Sequence, residues 1–354
     1  MRAAVENTLH AIWAHRGPAA CLLYPLSLIY RAVARSRAKA VTPVELPVPV
    51  IVVGNIYVGG TGKTPITIEL TRVLRQAGFV PGVISRGYGR AAEHVRLVDD
   101  ASPASEVGDE PLLIAQKSQV PVAVGRDRIA AARLLLSEHP DVNVIISDDG
   151  LQHARLARDV EIAVVGARGL GNGWTFPAGP LREAPSRLDT VDAIILNATS
   201  DTFASRTPRF AASSQLGAAV NLATGERRSL DDLAHRIAEK EAKTLSAAGI
   251  AAPERFFSML AAHEIQGDTL ALGDHFDFAV NPFASCKADV IFVTGKDAVK
   301  IRQNPELAAD ARIWSVDLEL QLDQYFVQFV VEKLAEAAQA KHIDIVPVAE
   351  QITH

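Results

Sequence analysis

The chain has 354 residues, of which 48% are apolar and 22% are charged, a composition typical of a folded globular protein. This length is sufficient for two α/β domains, or for one large domain with an ample core. The net charge of −5 gives no reason to expect nucleic acid as a partner. The two cysteines, Cys21 and Cys286, lie far apart in the sequence, which argues against a disulfide framework or a zinc site.

The N-terminal segment, residues 1–40, carries six basic side chains against one acidic side chain. Within it, residues 19–30 are mostly apolar, but this run contains Pro25 and is shorter than the about 20 residues that a transmembrane helix needs. Apolar surface flanked by basic residues predicts a helix that lies in the interface of an anionic membrane. The alternative is a pair of N-terminal helices that pack on their own core and expose the arginines to solvent.

A phosphate-binding loop is predicted directly after the β-branched run Val50–Val53, which has the pattern of a buried strand. The residues expected to bind the phosphates of a nucleotide are Gly59, Gly60, Thr61, Gly62, Lys63 and Thr64. Glycines let backbone N–H groups approach an anion, the lysine reaches the outer phosphates, and the last threonine ligates Mg²⁺. Tyr57 departs from the strict Walker A pattern, which has glycine there. The alternative is a Gly-rich connection with an incidental lysine.

A second part of the nucleotide site is predicted where the apolar run 142–146 is followed by Ser-Asp-Asp. Paired aspartates at the end of a buried strand, downstream of a P-loop, are typical of a Walker B site that holds Mg²⁺. Asp148 and Asp149 are therefore candidate metal ligands, and the alternative is a turn with solvated carboxylates. His153 is either a residue that contacts a ligand or an imidazole that caps the turn.

Short apolar runs that alternate with helical patterns predict a doubly wound parallel α/β sheet of the P-loop NTPase type. Arg86 follows one of the predicted strands in a Gly-rich stretch that suits an anionic ligand, although a turn with solvated arginines gives the same pattern. Asp109 and Glu110 precede Pro111, and by themselves they indicate no more than a helix N-terminus with a favourable dipole interaction.

Four parts are predicted along the chain. Residues 1–40 form a membrane-docking segment, and residues 41–155 form the P-loop nucleotide-binding domain. Residues 156–320 form a second, smaller α/β domain that contributes to the substrate site, and residues 321–354 form a C-terminal helix that packs back on the first domain. The Gly- and Pro-rich loop 171–183 is long for a compact protein, and we expect it to face the substrate.

Taken together, these stretches resemble one family, the tetraacyldisaccharide 4′-kinases of lipid A biosynthesis. The resemblance spans most of the chain and rests on residues 53–65, 85–89, 107–111, 148–153, 177–183, 248–250, 253–256, 274–275 and 296–300. Two positions depart from the family pattern. Gly295 stands where an acidic residue is usual, and Phe276 stands where a second histidine is frequent.

The resemblance implies transfer of the γ-phosphoryl group of ATP to the 4′-hydroxyl of an acylated glucosamine disaccharide 1-phosphate lipid, with Mg²⁺ as cofactor. It places the reaction at the cytoplasmic face of a bacterial inner membrane, to which the enzyme would bind peripherally. It also implies that Asp109 acts with His275 to activate the acceptor hydroxyl, beside a catalytic Lys63.

The remaining candidate residues fall into a metal group and a phosphate or substrate group. Thr64 and Asp148 are expected in the metal shell, with Asp149 and Glu183 as further contributors. The side chains expected to contact phosphate or substrate are Arg86, Arg126, His153 and Arg182.

A competing prediction is a membrane-associated P-loop ATPase or GTPase switch that acts on protein partners. The lack of a guanine-reading motif and the Gly- and Pro-rich loop 171–183 favour the kinase. A soluble ATP-dependent ligase is a third possibility, but it leaves the basic, apolar N-terminal segment without a role.

Overall fold

The structure is a computed structural model that describes residues 12–88, 90, 94–99, 102–197, 199, 203–250, 253–273 and 276–343. It divides into two compact units, of which the first contains residues 1–213 and 322–354 and the second contains residues 214–321. His275, the histidine that the family resemblance singles out, lies outside the described residues.

The helices and strands are given in chain order. As far as residue 197 they are α1 (Pro18–Lys39), β1 (Val50–Gly54), α2 (Lys63–Gln76), β2 (Pro81–Ser85), β3 (Arg96–Val98), α3 (Ala104–Val107), α4 (Asp109–Ser118), β4 (Val122–Val124), α5 (Arg128–Glu138), β5 (Val144–Asp148), β6 (Val160–Val165), a 3₁₀ turn (Pro185–Asp189) and β7 (Ala193–Asn197). They continue with β8 (Arg209–Asn221), β9 (Arg227–Arg228), α6 (Leu230–Glu239), β10 (Thr244–Ala248), α7 (Pro253–Ala262), β11 (Asp268–Ala271), β12 (Val290–Thr294), α8 (Gly295–Ile301), α9 (Pro305–Ala308), β13 (Ile313–Leu322) and α10 (Gln324–Ala340).

The sheet of the first unit has the strand order β8-β7-β6-β1-β5-β2-β4-β3. Neighbouring strands run parallel, apart from β3, which is antiparallel to β4. The β-branched strand β1 lies in the middle with every residue buried, and the chain winds outward from it in both directions. This arrangement confirms the predicted doubly wound parallel sheet. In such sheets the ligand binds beyond the carboxyl ends of the central strands.

The first unit extends further along the chain than the expected boundary after residue 155. Strand β6 pairs directly with the central strand β1, and residues 156–213 therefore belong to this unit. Helix α10 belongs to it as well, and the following residue, Lys341, donates from Nζ to the carbonyl oxygen of Val48 at 3.1 Å. The boundary differs because pairing between distant strands, which no local sequence pattern reports, decides which segments share a core.

The second unit contains parallel strands in the order β11-β10-β12-β13, and β8 forms an antiparallel pair with β9. Phe256 and Phe292 are fully buried in its core. Neither β10 nor β13 was predicted from the sequence. The residues of β10 are small and weakly typical of strands. Strand β13, in contrast, alternates polar and apolar residues, which is the pattern of a strand.

Helix α1 lies in the N-terminal segment where an interfacial helix is predicted, and it continues through Pro25. Several of its large apolar side chains are exposed, among them Leu22, Leu26, Ile29 and Val33. In the part of the chain that the structure describes, no helix combines the length and the apolar character needed to cross a bilayer.

Candidate active site

The predicted phosphate-binding loop connects the carboxyl end of β1 to the first turn of α2. Gly62 precedes the helix with φ at +82°, a left-handed conformation that favours glycine. A Cβ atom there would also lie 2.0 Å from Nδ2 of Asn197, so the space for a side chain is missing as well. No side chain caps the N-terminus of α2. Its first backbone N–H groups, which begin at Lys63, therefore have the orientation and partial charge that bind an anion.

Two asparagines hold this loop in place, and sequence analysis identified neither of them. Asn55 is fully buried, and its Nδ2 donates to the carbonyl oxygen of Gly59 at 3.2 Å and to Oγ1 of Thr61 at 3.0 Å. Asn197, at the end of β7, donates from Nδ2 to the carbonyl oxygen of Thr61 at 3.0 Å. The one sign of them in the sequence is their position, because each asparagine stands at or just after the end of a mostly buried strand.

Lys63, Asp149 and Arg182 form a group that we call the cationic cluster. Nζ of Lys63 lies 3.5 Å from Oδ1 of Asp149, and Nη1 of Arg182 lies 3.1 Å from both carboxylate oxygens. Burial alone works to raise the pKa of Asp149, but Lys63 and Arg182 outweigh burial and the pKa is lowered. The structure thus brings together three residues that were predicted from three separate motifs.

Asp148 has different surroundings, which we call the hydroxyl cluster. Its Oδ1 accepts a hydrogen bond from Oγ1 of Thr67 at 3.2 Å, and its Oδ2 accepts one from Oγ of Ser85 at 3.5 Å. Burial raises the pKa of the Asp148 carboxyl to about 6, and the nearby charge of Glu110 adds to this effect. Thr67 and Ser85 were not predicted, because hydroxyl residues inside a helix and at the end of a strand are common without any function.

A buried arginine lies behind the paired aspartates. Arg128, the first residue of α5, donates from Nη1 to the carbonyl oxygen of Gly125 at 2.9 Å and from Nη2 to that of Asp148 at 3.4 Å. Burial lowers the pKa of Arg128 to about 10 against the attraction of Asp148, so the guanidinium stays charged at neutral pH. Arg126, the arginine predicted to contact phosphate or substrate, lies exposed just before this helix. Arg128 therefore adds a fixed positive charge that was not foreseen.

Glu183, predicted as a contributor to the metal shell, is engaged in other contacts. Its Oε1 accepts a hydrogen bond from Nε2 of Gln152 at 2.7 Å, and its Oε2 lies 3.4 Å from Nε of Arg187. Nε2 of Gln152 also donates to the carbonyl oxygen of Asn55 at 3.0 Å. Gln152, which was not predicted as a site residue, thus links Glu183 to Asn55, the residue that holds the phosphate-binding loop.

Asp109 is exposed at the first position of α4, where no side chain caps the helix. The turn that precedes it packs closely on the turn that contains Arg86. A Cβ atom on Gly87 would lie 2.7 Å from the carbonyl oxygen of Val107, so these two turns require glycine to approach each other. Both turns therefore lie together, with Arg86 and Asp109 on adjacent exposed positions of the first unit.

His153 is half-buried, and burial lowers its pKa to about 4, an effect that the nearby Arg128 reinforces. The imidazole is therefore neutral at pH 7. Its Nε2 is buried and has no hydrogen-bond partner among the described residues. This geometry favours neither of the two roles that the sequence left open for His153.

The residues present can accommodate Mg²⁺ together with a nucleotide. Within the described ranges, no three acidic, histidine or cysteine side chains come together as an all-protein metal site. Mg²⁺ does not need such a site, because it is usually bound through one or two carboxylates together with phosphates and water. Asp148 suits this role, since its buried carboxylate accepts long hydrogen bonds from hydroxyls. The half-buried Thr64 follows the lysine of the loop.

Comparison with known proteins identifies the family. Residues 19–335 match LpxK, tetraacyldisaccharide-1-P 4′-kinase. A tetraacyldisaccharide 4′-kinase from Janthinobacterium sp. (strain Marseille) is 50% identical, and one from Herminiimonas arsenicoxydans is 48% identical; both alignments cover 94% of this chain and 97% of the relative. The crystal structure of LpxK from Aquifex aeolicus in complex with ATP is similar at a TM-score of 0.69 and 26% identity, covering 89% of this chain and 99% of that one.

These matches agree with the resemblance found in the sequence motifs and favour the kinase over the nucleotide-dependent switch. They cover both units of the chain, including the P-loop and the paired aspartates. The chain belongs to the LpxK family of tetraacyldisaccharide 4′-kinases, the ATP-dependent enzymes that phosphorylate a lipid disaccharide in lipid A biosynthesis.

Proposed function

We propose that this chain performs the 4′-kinase reaction with the cationic cluster, the hydroxyl cluster and the amides of the phosphate-binding loop. The observation that carries the proposal is the position of Lys63. It begins α2 directly after the loop, and its Nζ lies 3.5 Å from the Asp149 carboxylate. Lys63 and the loop amides would bind the outer phosphates of ATP. Thr64 and Asp148 would hold Mg²⁺, with Asp149 beside them.

The reaction forms a bond between the 4′-oxygen of the sugar and the γ-phosphorus of ATP, and it breaks the bond between that phosphorus and the oxygen that leaves with ADP. The proton of the 4′-hydroxyl passes to the carboxylate of Asp109, which is exposed at the start of α4. Phosphoryl transfer has a loose transition state, so catalysis depends mainly on positioning and on neutralising charge. When bound, Mg²⁺ would offset the negative charge of the phosphates.

Three further assignments belong to this proposal. We keep His275 as the partner of Asp109 on the basis of the family resemblance. Glu183 is kept as a further contributor to the metal shell, beside Gln152, whose Nε2 donates to its Oε1 at 2.7 Å. Arg86 and Arg126 are exposed candidates for contact with the phosphates or the disaccharide.

The location that we propose is the cytoplasmic face of a bacterial inner membrane, with helix α1 lying in the interface. The acceptor is a multiply acylated lipid, so the enzyme must meet it at the bilayer surface. Helix α1 exposes apolar side chains, and basic residues such as Arg35 and Arg37 follow them on the same helix. Apolar contact combined with attraction to anionic lipids is the physical basis of interfacial binding. Nucleic acid has no part in this proposal.

The role of Asp109 is tested with γ-labelled ATP and the lipid disaccharide. We expect Asp109→Ala to reduce label transfer to the 4′-position by about 10²–10⁴-fold, the usual contribution of a positioned base. Binding of ATP should be unchanged, because Asp109 does not bind the nucleotide in this proposal. Asp141→Ala, which changes an exposed aspartate elsewhere in the first unit, is the matched control. Near-normal turnover of Asp109→Ala would remove Asp109 from the mechanism.

Interfacial binding is tested by flotation with vesicles that contain anionic phospholipid. We expect Leu26→Ser combined with Ile29→Ser to reduce the bound fraction several-fold, because both side chains are exposed on α1. Val280→Ser is the control, since Val280 is also exposed but lies in the second unit. Equal flotation of the double variant and the wild type would contradict the docking role of α1.

A further inference from the structure

Helix α1 carries a buried polar side chain between two exposed apolar ones. Ser27 is fully buried, whereas Leu26 and Leu28 on either side of it are exposed. A membrane-docking helix does not itself require a buried serine at this position. The contacts of Ser27 therefore need a separate explanation.

Ser27 joins α1 to the loop 171–183 through both hydrogen-bonding functions of its hydroxyl. Oγ donates to the carbonyl oxygen of Thr175 at 2.8 Å and accepts from the backbone N–H of Ala178 at 3.0 Å. One turn earlier on the helix, the ring of Tyr24 packs on the ring of Trp174 with centroids 4.5 Å apart. The helix and the loop are thus held together by directional contacts as well as by apolar ones.

The same loop is attached on its other side to the residues that lead into the phosphate-binding loop. The backbone N–H of Val58 donates to the carbonyl oxygen of Pro180 at 2.7 Å, and the backbone N–H of Arg182 donates to that of Ile56 at 2.6 Å. Between these bonds, Leu181 forms an isolated bridge with Tyr57. This contact explains the departure from the Walker A pattern, because Tyr57 is buried where the two loops meet.

Internal hydrogen bonds connect the two sides of the loop. The backbone N–H of Gly179 donates to the carbonyl oxygen of Thr175 at 3.0 Å, and that of Leu181 donates to the carbonyl oxygen of Trp174 at 3.1 Å. Nδ2 of Asn172 donates to the carbonyl oxygen of Ala178 at 2.9 Å. The segment that Ser27 contacts is therefore bonded directly to the segment that ends in Arg182.

We propose that Ser27 is a positioning residue for the ATP site. By fixing Thr175 and Ala178 it holds the loop 171–183 in place, and the end of that loop sets the guanidinium of Arg182 against Asp149, which pairs with Lys63. The inference rests on the proposed role of the cationic cluster in binding ATP. It assigns to α1 a second task besides docking, because the helix that meets the lipid also supports the nucleotide site.

Direct binding of ATP with Mg²⁺, measured by isothermal titration calorimetry on the full chain, tests this inference. We expect Ser27→Ala to raise the Kd about fivefold to tenfold, the effect of losing one buried hydrogen-bonding group. A purely structural role would lower the fraction of active protein and leave the Kd unchanged. Ser36→Ala, on an exposed position of the same helix, is the control and should bind as the wild type does.

A double-mutant cycle with Arg182→Ala shows whether the effect passes through the loop. We expect the double variant to bind ATP no more weakly than Arg182→Ala alone, because Ser27 has nothing left to position. Full additivity of the two changes overturns the inference, and so does a Kd of Ser27→Ala within twofold of the wild type. If Ser27→Ala does not fold, Tyr24→Ala replaces it, since it removes the contact with Trp174 from a half-buried position.

Different results would contradict the proposed function and the role of Ser27. If Lys63→Ala binds ATP as tightly as the wild type does, the proposed function fails and the inference fails with it. If Lys63→Ala loses binding while Ser27→Ala and Tyr24→Ala keep it, the inference alone is wrong. The flotation variant, Leu26→Ser combined with Ile29→Ser, should leave the Kd for ATP unchanged, because both side chains are exposed on α1 near the buried Ser27. A matching loss of ATP affinity in that variant would contradict the specific role of Ser27.

Discussion

On one side of the site the Asp148 carboxylate lies among hydroxyl groups, and on the other side the Asp149 carboxylate lies between two cations. Burial raises the pKa of Asp148 to about 6, whereas Lys63 and Arg182 overcome burial and lower the pKa of Asp149. The two aspartates are neighbours in the sequence. Their different ionisation therefore comes from their surroundings and not from their residue type.

The backbone explains how adjacent residues reach such different places. Asp148 is the last residue of β5 and pairs with Val53 of the central strand, which fixes its side chain in the interior. Asp149 follows in the turn with φ at +50°, a left-handed conformation that directs the chain away from the strand. One carboxylate is thus fixed by the sheet and the other meets the residues of two loops.

The largest effect is expected from removing Lys63, one of the two cations beside Asp149. Lys63→Ala should reduce kcat/KM about 10²–10³-fold, the typical effect of removing one donor to a developing charge. The physical reason is that, in the proposed function, its ammonium would stabilise charge on the transferred phosphoryl group. Label transfer from γ-labelled ATP measures the loss, and Lys240→Ala, at an exposed position of the second unit, is the control. Turnover within threefold of the wild type would show that the cationic cluster is not the phosphate site.

A smaller effect is expected at the hydroxyl cluster, where a substitution should increase the stability of the protein. The folded-state pKa of Asp148 is raised, so its contribution to stability is fully present below about pH 4 and is lost as the pH rises through about 6. Asp148→Asn removes this loss, and in metal-free protein at pH 7 it should raise the free energy of unfolding by about 3 kcal/mol. Urea denaturation in the presence of EDTA measures the change.

The control for Asp148→Asn is the same pair of proteins at pH 4, where the two stabilities should converge. Activity should fall in Asp148→Asn in spite of the added stability, since the amide is a poor ligand for Mg²⁺. If Asp148→Asn is less stable than the wild type at pH 7 without metal, the Asp148 carboxylate has stabilising partners besides Thr67 and Ser85, and the prediction is wrong.

The smallest effect is expected at Asp149, and it has the reverse sign. Its folded-state pKa is lowered, so its contribution to stability is present above the unfolded-state pKa and is lost as the pH falls through the folded value. Asp149→Asn should therefore destabilise the metal-free protein at pH 7, and only modestly, because the side chain is one-third exposed. Thermal unfolding of both Asp→Asn variants side by side measures the contrast. A shift of the same sign in both would end the distinction between the two clusters.

Much of the fold was predictable because the local signals were strong. The run of β-branched residues predicted β1, and the helix predicted within residues 321–354 is α10. The glycines before Lys63 indicated a phosphate-binding loop, and a β-strand followed by paired aspartates indicated the second half of the site. The period-two alternation in β13 was also present in the sequence but was overlooked.

The sequence by itself determined the chemistry of the site, because a Gly-rich turn, a lysine at a helix start and carboxylates at a strand end carry their function in residue type and spacing. The tertiary structure decided which of these residues meet. It joined Asp149 to Arg182, placed Asn197 on the phosphate-binding loop and set Ser27 against the loop 171–183. These contacts join residues far apart in the chain, and pairing at that distance follows from sheet order and packing, which no local pattern encodes.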